Sequence, residues 1–275
     1  MGQTIAYYCG GIKPIIELLV SIYSYRKFYS DRIAVCLGET SVPYLDKLLK
    51  TNDIETIIIP NTKDDVHVRQ HWKSRWVGMD LIEDDYVLHP DCDTVCVGDI
   101  QKFFDTIDTK PEYITSWHTA NDGEYFRTWP GHIREYQKVD PDFDPETKPF
   151  YIEFGMVGWT GKWPYCLETS HACGITKDDQ TAMSYVLMKN GRKAHKPQFK
   201  NEIFRRILKY YMLSQEDYAN TLVWHTNTGF GIWWREFLEA YEKNYLGLRD
   251  HDYLETIAPK VLETLKSGNI PLIRR

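Results

Sequence analysis

The sequence predicts an α/β fold in which helices flank a parallel sheet. Short runs of β-branched and aromatic residues alternate with longer segments whose apolar residues recur at helical spacing. Glycine or proline follows several of these runs, as at Gly10-Gly11 and Pro60, and marks where strands end. In a sheet of this kind ligands bind at the carboxyl ends of the strands.

The N-terminal part supplies most of this pattern. We predict strands over residues 4–9, 32–37, 55–59 and 86–90, and helices over residues 15–29, 43–50 and 66–81. Strand and helix follow each other in the order β-α-β-α-β. Each helix then serves as a crossover connection between neighbouring parallel strands.

The remaining elements are more mixed. We predict strands over 113–117 and 150–159, the second with Gly155 allowing a close backbone approach. The segment 118–149 is rich in Asp, Pro, Gly and aromatics, and predicts an irregular lid, binding loop or disordered stretch. A helix over 180–189 begins at Asp178 or Asp179, either of which can serve as its N-cap. Further helices are predicted over 199–211, 233–245 and 253–266.

The composition is that of a folded domain with surplus aromatic residues. Of the 275 residues, 43% are hydrophobic, 26% charged and 14% aromatic. Surplus aromatics either fill the core or line sugar and base sites. The net charge of −6 argues against a nucleic-acid backbone as the main partner, because such binding uses clustered Lys and Arg.

Two features bear on the cellular setting. The apolar segment 12–22 is interrupted by Lys13, Pro14 and Glu17, so we expect neither a signal sequence nor a membrane span there. The six cysteines include no C-x-x-C pair, which favours reduced, packed thiols over a disulfide framework or structural zinc. We therefore expect a soluble cytoplasmic protein.

Two carboxylates, Asp91 and Asp93, directly follow the strand-like run 86–90. In an extended backbone, side chains two residues apart share a face and could hold one cation. Carboxylates suit Mg²⁺ or Mn²⁺, which keep positions open for water and phosphate oxygens. The alternative is that both residues only end the strand and begin a turn. Position after a strand distinguishes this pair from three similar triplets: Asp140-Pro141-Asp142, Asp142-Phe143-Asp144 and Asp250-His251-Asp252.

The helix predicted before this pair is basic. A diphosphate bound at the carboxylates would need such cations, although a solvated charged face would look the same. Lys73 and Arg75 are the best candidates, and being two residues apart they cannot both face the site squarely. The cationic and imidazole residues of this helix are His67, Arg69, His71, Lys73 and Arg75.

The order of these motifs resembles the nucleotide-sugar glycosyltransferases of the A-type fold, over residues 4–235. The most specific segment is 87–99, VLHPDCDTVCVGD, which is similar to the family's strand, D-x-D motif and following segment. Three shorter segments follow in the family's order: 151–157 (YIEFGMV), 177–180 (KDDQ) and 223–225 (VWH). The combination resembles the glycogenin-like branch and also the transferases of large DNA viruses that glycosylate capsids, for which the host cytoplasm would be the setting.

The resemblance implies a Rossmann-like three-layer α/β/α fold with a central mixed, mostly parallel sheet, in a single domain. Residues 1–99 would form the nucleotide-sugar-binding half, 100–235 the acceptor-binding half, and 236–275 a helical C-terminal tail.

The resemblance also implies a divalent cation, Mn²⁺ or Mg²⁺, held by Asp91, Asp93 and His225. An imidazole ligand suits Mn²⁺ somewhat better. For His225 the alternative is a hydrogen-bonded core residue. Gly229 and segment 230–233 (FGIW) stand where the family has Lys-Pro-Trp, so the phosphate contact made there is not carried over.

Donor-binding residues follow from the same resemblance. The end of the first strand would face the base, the glycines after it would give room for the nucleotide, and the basic helix would contact the diphosphate or the base edge. The residues so implied are Tyr7, Tyr8, Cys9, Gly10, Lys73, Arg75 and Cys92.

Asp179, with Asp178 beside it, is the candidate for chemistry. If transfer inverts the anomeric centre, Asp179 would act as general base towards the acceptor hydroxyl. If transfer retains configuration, Asp179-Gln180 resembles the glycogenin-like acidic-Gln pair, which positions the acceptor or supports a cationic transition state. The remaining alternative is a helix cap without chemistry.

The expected function is that of a metal-dependent hexosyl- or pentosyltransferase that moves a sugar from a nucleoside diphosphate donor, in the first place a UDP sugar, to a carbohydrate or glycoprotein acceptor. One alternative is a sugar-phosphate nucleotidyltransferase, but the Gly-rich basic loop this class requires is barely present in residues 9–13. Another is a non-catalytic carbohydrate-binding protein. It would explain the tryptophans but not the carboxylate pair.

Overall fold

The computed structural model describes residues 2–11, 14–60, 71–96, 98–107, 109–116, 130–144, 155–163, 174–175, 179–195, 204–206 and 222–225. The strands are β1 (Gln3–Cys9), β2 (Arg32–Gly38), β3 (Glu55–Ile59), β4 (Glu83–Pro90), β5 (Thr94–Cys96), β6 (Tyr113–Ser116), β7 (Met156–Lys162), β8 (Lys193–His195), β9 (Phe204–Arg206) and β10 (Val223–His225). The helices are α1 (Ile15–Arg26), α2 (Val42–Thr51), α3 (His71–Asp80), α4 (Gln101–Phe104), α5 (Pro130–Val139) and α6 (Asp179–Lys189).

The central feature is a mixed sheet in the order β3-β2-β1-β4-β7-β6-β8. Strands β3, β2, β1 and β4 are parallel neighbours, as the alternation of strands and helices predicts. Strand β7 runs antiparallel to both β4 and β6, and β8 is parallel to β6. The prediction of a mixed, mostly parallel sheet is confirmed.

Alternating side chains of the parallel strands enter two separate cores, one on each face of the sheet. From β1, Ile5 and Tyr7 join the core built with α1, α2 and α4, whereas Ala6 joins the core built with α3, α5 and α6. From β2, Val35 and Cys36 divide in the same way. Because both faces are covered by helices, these strands are apolar almost throughout. The result is the expected α/β/α three-layer arrangement.

A second, smaller sheet has the order β5-β10-β9. Strand β10 is antiparallel to β5, with His225 opposite Thr94, and parallel to β9, with His225 opposite Arg206. This sheet brings a late segment of the chain back to the turn that follows β4.

Helix α5 lies inside segment 118–149, and the prediction of irregular structure is wrong there. Its first residue, Pro130, suits a helix start because the first turn needs no N–H donor. Tyr136 is fully buried, and its ring centroid lies 5.3 Å from that of Phe143 and 5.2 Å from that of Tyr185. Tertiary packing of one aromatic residue therefore favours a helix that the local composition does not indicate.

The predicted helix over 199–211 is also wrong where it can be compared, because residues Phe204–Arg206 form strand β9. Pairing with β10 overrides the local helical spacing. The predicted helices over 233–245 and 253–266 lie outside the described residues. Within the described ranges, no helix has both the length and the apolar character needed to cross a bilayer.

Candidate metal and nucleotide site

Asp91 and Asp93 lie in a tight turn between β4 and β5, at the carboxyl end of a central parallel strand. The N–H of Asp91 donates to the carbonyl of Gly155 (3.0 Å), so the backbone before β7 approaches the turn closely. The carbonyl of Asp91 accepts from the N–H of Thr94 (3.2 Å) and from its hydroxyl (2.8 Å). The two carboxylates therefore share a turn rather than one face of an extended strand, and the turn directs both towards β10.

His225 completes a cluster with this pair. Its Nε2 atom lies 3.1 Å from Oδ1 of Asp93 and 3.6 Å from Oδ2 of Asp91. One ligand atom from each of the three side chains lies within 4.8 Å of the others. The imidazole is buried, with 5% of its side chain exposed, whereas the carboxylates are half-buried. The paired strands β5 and β10 hold it there.

The donor atoms of this cluster fit a divalent cation. Two carboxylate oxygens and one imidazole nitrogen are ligands that Mn²⁺ accepts, and three protein ligands leave positions for phosphate oxygens and water. Two half-buried carboxylates so close together repel each other, and a cation between them would remove that cost. Two other D-x-D triplets, 140–142 and 142–144, lie among the described residues, and Asp140 of the first accepts from Nζ of Lys189 at 2.7 Å.

Arg75 and His89 adjoin the carboxylates. Nη2 of Arg75 donates to Oδ1 of Asp91 (2.6 Å), and Nε of Arg75 donates to Nε2 of His89 (2.7 Å). The other ring nitrogen of His89 lies 2.6 Å from the carbonyl oxygen of Ala6 on β1. Burial, followed by the nearby Arg75 guanidinium, lowers the pKa of His89 well below its ordinary value of 6.5. The imidazole is therefore neutral near pH 7.

A cavity of about 170 Å³ lies over these groups. Glu17 and His89 are two of its lining residues that the sequence interpretation did not select. Each carried a signal, because Glu17 is a carboxylate within the apolar start of α1 and His89 is an imidazole within a buried strand. The full lining is Tyr8, Glu17, Arg75, His89, Pro90, Asp91, Cys92 and Asp93.

The residues predicted to face the base divide between cavity and core. Tyr8 and Cys92 line the cavity, and the Cys92 thiol donates to the Tyr8 carbonyl (3.1 Å). Tyr7 and Cys9 are fully buried, with the Tyr7 hydroxyl 2.9 Å from that of Ser21. The structure places these two side chains beneath the site rather than in it.

Gly10 lies against the Tyr8 ring. A Cβ atom at Gly10 would come within 2.7 Å of Cζ of Tyr8, closer than such contacts allow. The glycine therefore leaves room for the aromatic ring, rather than for a nucleotide directly.

The remaining predicted residues are described less fully. Helix α3 carries Lys73 two residues before Arg75, and the Lys73 side chain lies outside the described part of the structure. Helix α6 begins at Asp179, in agreement with the predicted helix start. Asp178 and the side chain of Asp179 are not among the described atoms.

A larger cavity of about 600 Å³ lies at the amino ends of β2 and β3, opposite the carboxylates. Both of its arginines donate to neighbouring groups of the protein: Nε of Arg32 to the Glu55 carboxylate (2.8 Å), and Nη2 of Arg26 to the backbone carbonyl of Asp53 (3.1 Å). These contacts within the protein explain why arginine and glutamate lie in this cavity, and no bound ligand is needed to explain them.

No protein-family model matches the sequence, and no curated protein sequence matches it either. The fold, in contrast, is similar to that of the galactosyltransferase LgtC, solved in complex with donor and acceptor sugar analogues. That likeness has a TM-score of 0.54 and 16% identity, over 81% of this chain and 86% of that one. An active-site mutant of LgtC gives a TM-score of 0.53 and 13% identity, over 87% of this chain and 95% of that one.

A third similar structure is the apo form of WbbM, a bifunctional glycosyltransferase. The TM-score is 0.50 and the identity 14%, over 87% of this chain but 49% of that one, so this chain spans about half of WbbM. With identities this low, the likeness concerns the fold. The chain has the glycosyltransferase A-type fold, in which helices cover both faces of a mixed, mostly parallel sheet.

Proposed function

We propose that this protein is a metal-dependent glycosyltransferase that moves a sugar from a nucleoside diphosphate donor, in the first place a UDP sugar, to a carbohydrate or glycoprotein acceptor. The observation that carries the proposal is the convergence of Asp91, Asp93 and His225 at the carboxyl end of β4. In an open α/β sheet this edge is where ligands bind. The likeness in fold to LgtC, which was solved with donor and acceptor sugar analogues, supports the reaction class.

The three side chains would hold the cation, and the imidazole favours Mn²⁺ over Mg²⁺. When bound, the cation would supply Lewis-acid stabilisation of the diphosphate leaving group. The protein's own contribution is to fix the ligands. The Gly155 carbonyl holds the backbone of Asp91, and Arg75 holds its side chain.

The donor would occupy the cavity over the carboxylates. Tyr8 offers an aromatic surface there, Cys92 lies between the two carboxylates, and Arg75 contributes a guanidinium. We propose that Lys73 reaches the donor from the same helix. Tyr7, Cys9 and Gly10 would act indirectly, by supporting the end of β1 and the position of Tyr8.

The acceptor hydroxyl must lose a proton during transfer. For an inverting reaction we propose that Asp179 accepts this proton as general base, with Asp178 beside it in the sequence. The start of α6 at Asp179 keeps the carboxylate ionised and so available as a base, and the same stabilisation by the helix N-terminus weakens its basicity. For a retaining reaction the same residue and Gln180 would position the acceptor instead.

The experiment is a donor screen with and without metal. The purified protein is incubated with UDP, GDP and CMP sugars, in Mn²⁺ or EDTA, and release of the nucleotide and transfer to oligosaccharide acceptors are measured. We expect Mn²⁺-dependent release of a nucleoside diphosphate. A parallel incubation contains a sugar phosphate and a nucleoside triphosphate. Formation of a nucleotide sugar there would replace the proposal with nucleotidyl transfer. Thermal stabilisation by free sugars alone, without nucleotide, would indicate a binding protein.

Two measurements then settle the mechanism. The anomeric configuration of the product, determined by NMR, distinguishes inversion from retention. Replacement of Asp179 by Asn should abolish transfer while donor affinity stays nearly unchanged. Turnover by Asp179→Asn close to that of the parent protein would remove Asp179 from the chemistry.

A further inference from the structure

A buried imidazole connects the sheet core to the carboxylate pair. His89 lies near the end of β4 and is 1% exposed. Three consecutive hydrogen bonds run from the Ala6 carbonyl through His89 and Arg75 to Asp91, at 2.6, 2.7 and 2.6 Å. Arg75, His89 and Asp91 all line the cavity over the carboxylates, and of these three only Asp91 is a candidate metal ligand.

The chemistry of the guanidinium fixes the direction of these bonds. Arg75 has only donors, so Nε2 of His89 must accept its N–H. Nδ1 of His89 therefore carries the hydrogen and donates it to the Ala6 carbonyl. Each ring nitrogen has one role, and a second orientation of the ring would break both bonds.

Aromatic packing restricts the ring further. The His89 centroid lies 6.2 Å from that of Trp76 and 6.5 Å from that of Trp159, both in edge contacts. The guanidinium carbon of Arg75 lies 5.1 Å from the Trp76 ring centroid. Trp76 therefore contacts both members of the pair, and Trp159 closes the other side of His89.

The two carboxylate oxygens of Asp91 have different neighbours. Oδ1 accepts from Arg75 at 2.6 Å, whereas Oδ2 lies 3.6 Å from Nε2 of His225. One oxygen faces a fixed cationic side chain, and the other faces the candidate metal ligands.

We propose that His89 is a positioning residue that acts through Arg75 to orient the Asp91 carboxylate, so that Oδ1 is held by the guanidinium and Oδ2 is presented to the cation. The inference rests on the proposed function, because it assumes that the cluster binds a divalent cation. His89 lines the donor cavity with only 1% of its surface exposed, and the positioning role requires no contact between His89 and the donor or the acceptor. The competing explanation is that His89 only fills the core between two tryptophans.

Two substitutions of His89 separate these explanations. Gln places a carbonyl oxygen near the position of Nε2 and can still accept from Arg75. Asn is shorter and can only replace the donation from Nδ1 to Ala6. Both remove similar ring packing, so a role limited to core filling predicts similar effects on the site.

The readout is the affinity for Mn²⁺ alone, measured by electron paramagnetic resonance without nucleotide. We expect His89→Asn to weaken Mn²⁺ binding about tenfold or more, the size typical of residues that orient metal ligands. His89→Gln should stay within about threefold of the parent protein. Equal affinities for the two variants would overturn the proposal.

Arg75→Lys tests the same link from the other end and leaves the buried His89 in place. Lysine keeps the charge but lacks the fork that donates to two partners at once. We expect weaker Mn²⁺ binding in this variant, and no additional loss when His89→Asn is added to it, since coupled residues are non-additive. Parent-like affinity of Arg75→Lys would overturn the proposal even if the His89 variants fail to fold.

The outcomes distinguish this inference from the proposed function. If Mn²⁺ affinities follow the expected pattern but no sugar donor is consumed, the positioning role stands and the transferase assignment fails. If sugar is transferred but the affinities do not follow the pattern, the reverse holds.

Discussion

His225 pairs with Thr94 in antiparallel register between β10 and β5, and this pairing places its imidazole beside Asp93. The position of His225 in the candidate metal site therefore depends on hydrogen bonds between two three-residue strands. Five predictions test this site and the packing that supports it.

Replacement of Asp93 by Asn should have opposite effects on metal affinity and on stability. Losing one carboxylate ligand should weaken Mn²⁺ binding at least 100-fold, about 2.8 kcal/mol. In EDTA the same variant should unfold at a slightly higher temperature, because repulsion from Asp91 is relieved. Calorimetric titration and thermal unfolding measure the two effects. The matched control is Asp142→Asn, an exposed aspartate of another D-x-D triplet, which should change neither.

Replacement of His225 by Gln should change the metal preference as well as the affinity. Glutamine can present an oxygen near the position of Nε2, and oxygen ligands suit Mg²⁺ better than imidazole does. We expect the ratio of Mg²⁺ to Mn²⁺ dissociation constants to fall about tenfold, about 1.4 kcal/mol. The shorter His225→Asn should lose affinity for both ions. An unchanged ratio in the Gln variant would mean that His225 is not a ligand.

Glu17 adds negative charge to a cavity assigned to a diphosphate. We expect Glu17→Gln to strengthen binding of UDP in EDTA by about 1 kcal/mol, because repulsion of the phosphates falls. Binding of Mn²⁺ alone should weaken in the same variant. The control is Glu83→Gln, which removes an exposed carboxylate at the opposite end of β4. Changes of the same sign for both ligands would contradict this electrostatic role.

Gly78 lies where α3 touches the sheet. A Cβ atom there would come within 2.7 Å of the Cβ and 2.8 Å of the Sγ of Cys36. Gly78→Ala should therefore destabilise the protein by about 1–3 kcal/mol, the cost of overpacking, despite the better helix propensity of Ala. Urea unfolding measures the change. Gly11→Ala is the control, because a Cβ at Gly11 meets no atom within 4 Å.

The buried thiols should resist alkylation in the folded protein. Burial raises the pKa of Cys36 and of Cys96 from 9.0 to about 12, so both stay protonated at pH 7–10. Iodoacetamide reacts with the thiolate, and peptide mapping should find both unmodified until the chain is unfolded in urea. The native state holds protons that the unfolded state releases, so this contribution to stability is complete below pH 9 and is lost as pH rises towards 12. Labelling of folded Cys36 at pH 7–10 as fast as in the urea-unfolded chain would contradict the burial.

The parallel half of the sheet could be predicted because its signals are local. Strands β1, β2 and β3 are short apolar runs with turn residues after them. Helix α5 and strand β9 could not be predicted in this way. Tyr136 stabilises α5 through contacts outside the helix, and β9 exists through its pairing with β10. Such partners are distant in sequence and leave no periodic pattern.

The same distinction between local signals and distant contacts applies to the candidate site. Asp91 and Asp93 could be selected as candidates because they follow a strand directly, and His225 only through the order of motifs in a family. Tyr7 is fully buried, and the sequence of β1 does not indicate which of its alternating side chains face the core and which face the site. His89 was visible in the same motif, but its role depends on the position of Arg75 on another element.

The small sheet has a consequence for the order of folding. Strands β1 to β4 are complete once residue 90 has been synthesised, and within the described residues the later strand that pairs with them is β7. The contact between β5 and β10 closes a much longer loop, which costs more chain entropy and tends to form late. A nascent chain can thus fold most of its sheet while it still lacks the imidazole. A divalent ion would then bind the finished protein more tightly than its folding intermediates and stabilise it, because only the finished protein presents all three candidate ligands.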